Sequence, residues 1–294
     1  MAMRKQKQSG GETLVKHSQM GDVWRRFRRN KLAVFGMCIA IFLILVAVFA
    51  NLIAPYPPAD ITGDRLTMPS MQHLLGTDNF GRDLLSRVIY GARVSLLISL
   101  MSLVFSLIIG IGLGATAGYF GGWYESLIMR ICDILMCIPG MLLAVCISSV
   151  LGIGVVNTAI AIAVSGVAPC IRMIRATVLQ IRSQEFVEAA KATGSGHGKI
   201  IFHEILPNIL SPLIVDSTMR IGGNILQISG LSFIGLGVQP PASEWGSIMS
   251  AGQEFITTFW PMITFPGIAI LLTVFAFNVM GDGLRDALDP RLKQ

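Results

Sequence analysis

Long runs without a charged residue alternate along this chain with short segments in which charges crowd together. No Asp, Glu, Lys or Arg occurs in 32–59, 94–124, 134–171, 221–243 or 255–281. An apolar run of about 20 residues matches one helical bilayer crossing, and a helix satisfies its own backbone where no water can. A first span is expected over 32–54, stopped by Pro55-Tyr56-Pro57-Pro58, which cannot continue a helix. A second fits 94–117. The run 134–171 is too long for one crossing, so it holds a hairpin turning at Gly152-Ile153-Gly154 and Asn157, with spans over 127–151 and 156–176. A fifth span fits 208–236 and a sixth 261–281. The pattern predicts an all-α membrane protein with six transmembrane helices.

Composition agrees. Apolar residues make up 53% of the 294 positions and charged residues 14%, against roughly 25% charged in a soluble domain. A water-exposed globule is excluded. The net charge of +6 would suit a nucleic-acid partner, but its placement does not. Arg4, Lys5, Lys7, Lys16, Arg25, Arg26, Arg28, Arg29 and Lys31 all precede the first span, against Glu12 and Asp22. Such a flank belongs on the cytoplasmic side. With Trp24 and Phe27 among the arginines, it reads as an amphipathic segment on an anionic lipid surface. Lys and Arg number five in 172–207 and three in 282–294, but none in 237–260. The four in 55–93, offset by Asp60, Asp64, Asp78 and Asp83, are a mild exception. Both termini are therefore expected inside.

The expected organisation is a cytoplasmic segment 1–31, a first transmembrane helix 32–54, an extracytoplasmic segment 55–93, a five-helix core 94–281 and a cytoplasmic tail 282–294. Val48-Phe49-Ala50 loosely fits a signal cleavage site, but the leader and the apolar run are too long, and an uncleaved anchor is expected. Cys38, Cys132, Cys137, Cys146 and Cys170 form no CxxC pair or Cys/His cluster and read as small buried hydrophobes. Gly110, Gly114 and Gly118 repeat every four residues, a face for close helix packing. The same run, GIGLGATAG, lacks the dinucleotide-binding spacing and lies in a bilayer-length stretch.

The segment SQEFVEAAKATGSGHGKIIFHEILPN, 183–208, is the most informative. Ser183 can cap a helix with Glu185 and Glu188 in its first turns and Lys191 near its end, charges that suit the helix dipole. Gly194 fits the position just past the end. Ser195-Gly196 turns the chain, and a second short helix is expected over 198–205 before Pro207 opens the fifth span. Ala189, Ala190 and Ala192 leave a surface of little bulk that can sink into a groove on another protein.

Glu188-Ala189-Ala190 with Gly194 and then Leu206-Pro207 resembles the EAA loop of permease subunits in bacterial ABC importers. LLGTDNFGRDLLSRVIYGARVSL (74–96), LSFIGLGVQPPASEWGSIM (231–249) and GDGLRDALDPRL (281–292) resemble the C-type permeases of oligopeptide, dipeptide and glutathione importers. The resemblance covers roughly 20–294. Glu204 departs from it, standing where the general pattern has an apolar residue.

The resemblance implies an ABC importer type I permease fold in a bacterial inner membrane. It also implies a coupling helix, Glu188, Ala189, Ala190 and Gly194, docked on a cytoplasmic ATPase. The implied partners are a homologous second permease subunit, two ATPase subunits, an extracytoplasmic substrate-binding protein and the lipid bilayer. The implied function is half of a translocation pathway for short peptides working by alternating access, or a glutathione- or nickel-chelate-specific version of it. No catalytic residue, cofactor or metal is expected: no phosphate-binding loop occurs, the nearest approach being His197-Gly198-Lys199-Ile200.

Other residues keep two readings. Asp216 and Arg220, four apart in the fifth span, either pair structurally or line the pathway. Gly76, Thr77, Asp78, Gly81, Arg82 and Asp83 either help receive a binding protein or make turns, with Asp83 capping the next helix. Pro240-Pro241 and Trp245 either shape an outer gate or form a rigid interfacial loop. His17, His73, His197 and His203 lack metal spacing and read as spectators. Rival readings are an ion-driven secondary transporter, for which the only midplane charges are Asp216 and Arg220, and a scaffold without transport.

Overall fold

The computed structural model describes residues 19–288; the early basic residues Arg4, Lys5, Lys7 and Lys16, together with Glu12, His17 and the tail's last residues 289–294, lie outside the described residues. The helices in chain order are α1 (Gln19–Arg29), α2 (Lys31–Val48), α3 (Ala50–Ile53), α4 (Leu84–Phe120), α5 (Gly122–Met136), α6 (Gly140–Leu151), α7 (Val155–Ile181), α8 (Glu185–Ala192), α9 (His197–Lys199), α10 (Leu206–Phe233), α11 (Trp245–Gly252) and α12 (Pro261–Leu288). A π-helical turn, Ile200–Ile205, joins α9 to α10. Between α3 and α4 the chain makes two isolated antiparallel bridges, Ile61 to Arg82 and Thr77 to Asp83.

Among the described residues, five helical stretches are long and apolar enough to cross a membrane: α2, α4, α7, the continuous run His197–Phe233, and α12. The expected crossing over 127–151 is not one helix. Its two halves, α5 and α6, meet at 87° and make a sixth crossing only if the bent pair is counted as one. Pro139 is the cause. It offers no N–H, its ring excludes a preceding helical turn, and it drives Ile138 out of the helical region. Pro139 itself sits extended at ψ 131° immediately before α6. The hairpin that follows does turn at the glycines. Gly152 has φ +80° and Gly154 φ +152°, and Asn157 Nδ2 donates to the carbonyls of Leu151 (2.8 Å) and Gly152 (3.2 Å).

Other boundaries differ from the expected ones. The first crossing breaks at Phe49 between α2 and α3. Helix α4 begins at Leu84 instead of 94, because Asp83 Oδ2 accepts from the Ser86 amide (2.8 Å) and hydroxyl (2.7 Å) and starts the helix there. The short helix expected over 198–205 is not separate: it runs through the π-helical turn into α10, where the Leu206 amide reaches back to the Ile201 carbonyl. That wider turn lets the helix pass Pro207, which has no N–H to give. In α1, Phe27 does not lie toward lipid; it is buried against Ala33 and Ala287 while Trp24 stacks on it from outside. Cys132 and Cys170 are buried, but Cys38, Cys137 and Cys146 are exposed on the helix surfaces. Lipid is as apolar as a core, so a small hydrophobe facing it costs little.

The bundle is organised around α4 packed on α7. One face of α4 carries Ser95, Ser99, Ser102, Ser106, Gly110, Gly114 and Gly118, all buried. The serines bond across to neighbouring backbones: Ser99 Oγ donates to the Ile221 carbonyl (3.0 Å), Ser102 Oγ to Ala159 (3.0 Å) and Ser106 Oγ to Ala163 (3.1 Å). The glycines allow closer contact still. A methyl group at Gly114 would fall 2.8 Å from the Ile171 carbonyl oxygen, and one at Gly118 2.9 Å from Val178 Cβ. Gly112, on another face, would meet nothing within 4 Å.

These two glycines give a paired prediction. Gly114→Ala should destabilise the protein by about 1–3 kcal/mol through overpacking. Gly112→Ala should leave stability unchanged or slightly raised, since alanine is the better helix former. Thermal unfolding of the purified variants checks this, and equal melting temperatures would contradict the packing account.

Candidate functional site

Helix α8 hangs between α7 and the α9–α10 run, outside the membrane-length helices. Its N-cap is Gln184, in extended conformation and without a side-chain cap, so Ser183 does not play the capping part expected of it. The Gln184 carbonyl instead accepts from the amides of Val187 (3.0 Å) and Glu188 (3.2 Å). Glu185 and Glu188 lie in the first turn and Lys191 in the last, each favourable to the helix dipole. At the other end the Ser195 amide donates to the Ala190 carbonyl and the Gly194 amide to Lys191, both at 3.0 Å. That paired closure needs a left-handed residue just past the helix, and Gly194 supplies it at φ +76°.

One side of α8 is an anchor. Val187 is fully buried, with Phe186 and Ala190 partly so, against Tyr119, Ile181, Ile200, Ile201 and Ile205. The other side, Glu185, Glu188, Ala189 and Ala192, is exposed, as is Gly194. Of the four residues singled out for docking, the structure thus presents Glu188, Ala189 and Gly194 on the surface and turns Ala190 partly toward the anchor. The alternation follows from helical spacing: positions 186, 187 and 190 share one face, 185, 188, 189 and 192 the other.

A second tie was missed from sequence. Tyr119, near the end of α4, has its hydroxyl 2.9 Å from His197 Nδ1. The His197 ring also stands edge-on to Tyr119 (5.6 Å) and Phe120 (5.5 Å), and Lys191 Nζ lies 5.7 Å above the Tyr119 ring. His197 thus ties the α8 loop to the end of α4. Nearby, Arg182 Nη1 donates to the Gly118 carbonyl (2.9 Å), and Arg175 Nε to Glu125 Oε1 (2.6 Å). The ends of α4, α5 and α7 and the α8 loop form one cross-linked patch.

Asp216 and Arg220 pair with each other on α10, and Arg220 Nη1 also donates to the Gly166 carbonyl of α7 (3.1 Å). Asp216 in addition lines a cleft of about 830 Å³, shared with Thr177, Gln180, Asn208, Ser211 and Arg285. Arg220 thus ties two helices, while Asp216 faces the cleft. A further ion pair, Arg172 with Asp133, joins α7 to α5.

At the opposite end, Asp78 accepts from Arg82 Nε (2.7 Å) and pairs with Arg87 (3.2 Å), while Asp83 meets His73 Nδ1 (2.9 Å). These residues are buried, which suits a role in folding the loop onto α4. Trp245 is buried too, its Nε1 donating to the Val88 carbonyl (2.9 Å). It is not an interfacial tryptophan.

Gly194 carries a test of the loop. Gly194→Val places a β-branched residue at positive φ, a cost of about 1–2 kcal/mol, whereas Gly196→Val falls at an ordinary φ of −64°. Amide exchange across 185–192 should quicken about 5- to 30-fold in the first variant and stay near wild type in the second; equal protection in both would refute the helix-end account.

The chain is similar to known proteins over most of its length. The family described as "Binding-protein-dependent transport system inner membrane component" matches residues 110–294, and the "N-terminal TM domain of oligopeptide transport permease C" matches 18–73. The chain is 44% identical to the dipeptide transport system permease protein DppC of Alkalihalophilus pseudofirmus, over 92% of this chain and 90% of that protein. It is 44% identical to the di/tripeptide transport system permease protein DppC of Pseudomonas aeruginosa (96% and 95%) and 42% to the glutathione transport system permease protein GsiD of an Escherichia coli O6 strain (99% and 98%). A solved structure of the MetNI methionine ABC transporter in inward-facing conformations superposes with a TM-score of 0.57 at 19% identity, over 69% of this chain and 97% of that one. At that identity the likeness concerns the fold.

Proposed function

The chain belongs to the family of binding-protein-dependent transport system inner membrane components, and from that premise we propose that it forms half of the pathway by which an ATP-driven importer takes up short peptides. Its relatives are named for dipeptides, di- and tripeptides and glutathione, itself a small peptide. The complete assembly is this subunit, a homologous permease, two ATPase subunits and an extracytoplasmic binding protein. Both termini and α8 lie in the cytoplasm, with the bent α5–α6 pair counted as the third of six crossings, in keeping with the basic flank before α2.

The observation that carries the reading is the two-sided α8. A helix with a buried valine on one face and Ala189 and Ala192 between glutamates on the other is a rigid body with a low-bulk strip on its outer surface. Seated in a cleft of an ATPase, it passes on that subunit's closing movement through its anchor to α4, α7 and α10. Alternating access then follows: the outward-open state accepts peptide from the binding protein, and hydrolysis in the partner ATPases restores the inward-open state. This chain contributes the moving walls and no hydrolytic residue. Asp216, in the cleft between α7, α10 and α12, belongs to the pathway's inner half, while Arg220 holds α10 to α7.

Reconstitution of all the subunits in liposomes should give ATP-dependent uptake of a labelled dipeptide, and this chain alone should give none. Uptake by the chain alone under an ion gradient would overturn the proposal in favour of a secondary carrier. Glutathione and a nickel chelate added as competitors identify the preferred substrate. Ala189→Trp, which adds bulk to the exposed face of α8, should lower uptake at least tenfold while the permease pair still assembles. Undiminished uptake by that variant would show that α8 is not the docking element.

A further inference from the structure

The chain between α10 and α12 does not loop freely over the end of the bundle. Helix α11 is wedged among α4, α10 and α12, and consecutive residues at its start fit closely against α4 and α10. Gly246 lies where a methyl group would fall 2.2 Å from the Ser229 carbonyl oxygen of α10, so two backbones touch. The Trp245 ring fills the space over Gly91 of α4, where a methyl group would meet it at 2.6 Å. Glu244 is 0% exposed. Its Oε2 accepts from the Ser247 amide (2.9 Å), while its Oε1 lies near the hydroxyls of Ser95 on α4 (3.2 Å) and Ser229 on α10 (3.4 Å).

Among the described residues no cation pairs with this carboxyl. Facing it, α4 presents Ser95 and α10 presents Ser229, both neutral. Of the charged residues of α4 nearest in sequence, Arg87 is engaged by Asp78 and Arg93 by Asn51. Positions 221–243 and 255–281 hold no charged residue, and Glu254 beyond α11 is exposed. We propose that Glu244 is a proton-binding residue that positions α11, holding the junction of α4, α10 and α11 together when protonated and loosening it when ionised.

A protonated carboxyl can itself donate to the Ser95 or Ser229 hydroxyl while the Ser247 amide still bonds its other oxygen. An ionised one stands buried without a counter-charge, which is unfavourable. Burial pushes the Glu244 carboxyl above the usual carboxylate range, opposed by the amides of Gly246 and Ser247 and by serine hydroxyls. The sign follows. The packed junction binds more protons than the opened chain, so its stability is greatest at acid pH and falls as pH rises through the raised value. The proton comes from water on the α11 side. The junction behaves in this way whether or not peptides are the cargo.

Thermal unfolding of the full-length protein in detergent between about pH 5 and pH 9 tests this. The wild-type melting temperature should decline on the alkaline side, and Glu244→Gln, neutral and nearly isosteric, should remove that decline. A Glu244→Gln profile parallel to wild type across the range would overturn the proposal. Should that variant not fold, Ser95→Ala decides. It removes a donor to the ionised form, so the alkaline midpoint should rise by about one pH unit, and an unmoved midpoint would overturn the proposal equally.

Discussion

The structure depends on one constraint: helices surrounded by lipid gain nothing from hiding apolar surface against one another, so they must be joined by close backbone contact and hydrogen bonds. The face of α4 from Ser95 to Gly118 meets that constraint along its whole length. Serines in its first half bond to carbonyls of α7 and α10, and glycines in its second half let α7 approach to contact. The remaining helices are arranged about this pair, with α2 and α12 joined by another close approach, where Gly36 faces the Ala276 carbonyl.

How much of this was legible depends on whether a feature is local. Charge-free runs mark crossings because burying a charge in lipid is costly, and the glycine-bounded hairpin at 152–154 is visible because its backbone needs are written in adjacent residues. The bend at Pro139 lies in plain view, but hydropathy measures only length and apolarity, so it merges α5 and α6 into one span. The π-helical turn before Pro207 leaves no compositional mark. Neither reading of Trp245 includes burial, because an interfacial and a buried tryptophan look alike in sequence; its pocket is built by residues far away along the chain, among them Gly91, Ala92, Ile225 and Ile270.

The segment around α8 shows the same division. Glu188, Ala189, Ala190 and Gly194 stand out as a pattern, and helical spacing sorts them into exposed and anchored faces. The contact of Tyr119 with His197 joins residues with nothing between them in sequence to suggest it. The pairs Arg172–Asp133 and Arg175–Glu125 are hidden for the same reason.

These distant contacts bear on how the two ends of the bundle are joined. Helix α4 has 37 residues, about 55 Å at ~1.5 Å per residue, while the hydrocarbon layer is only about 30 Å thick. It therefore reaches past the layer, with Tyr119 against the α8 loop at one end and Gly91 under Trp245 toward the other. The continuous run His197–Phe233 is equally long. It too joins the two places, through Ile200 and Ile205 in the α8 anchor and Ser229 at the α11 junction. Two rods that share a loop at one end and a wedge at the other cannot be displaced at the first without straining the second. On the proposed reading, a pull on α8 and a change at Glu244 would act on the same pair of helices. Coupling across this subunit then needs no chain of intermediate side chains, because two stiff elements already span the distance.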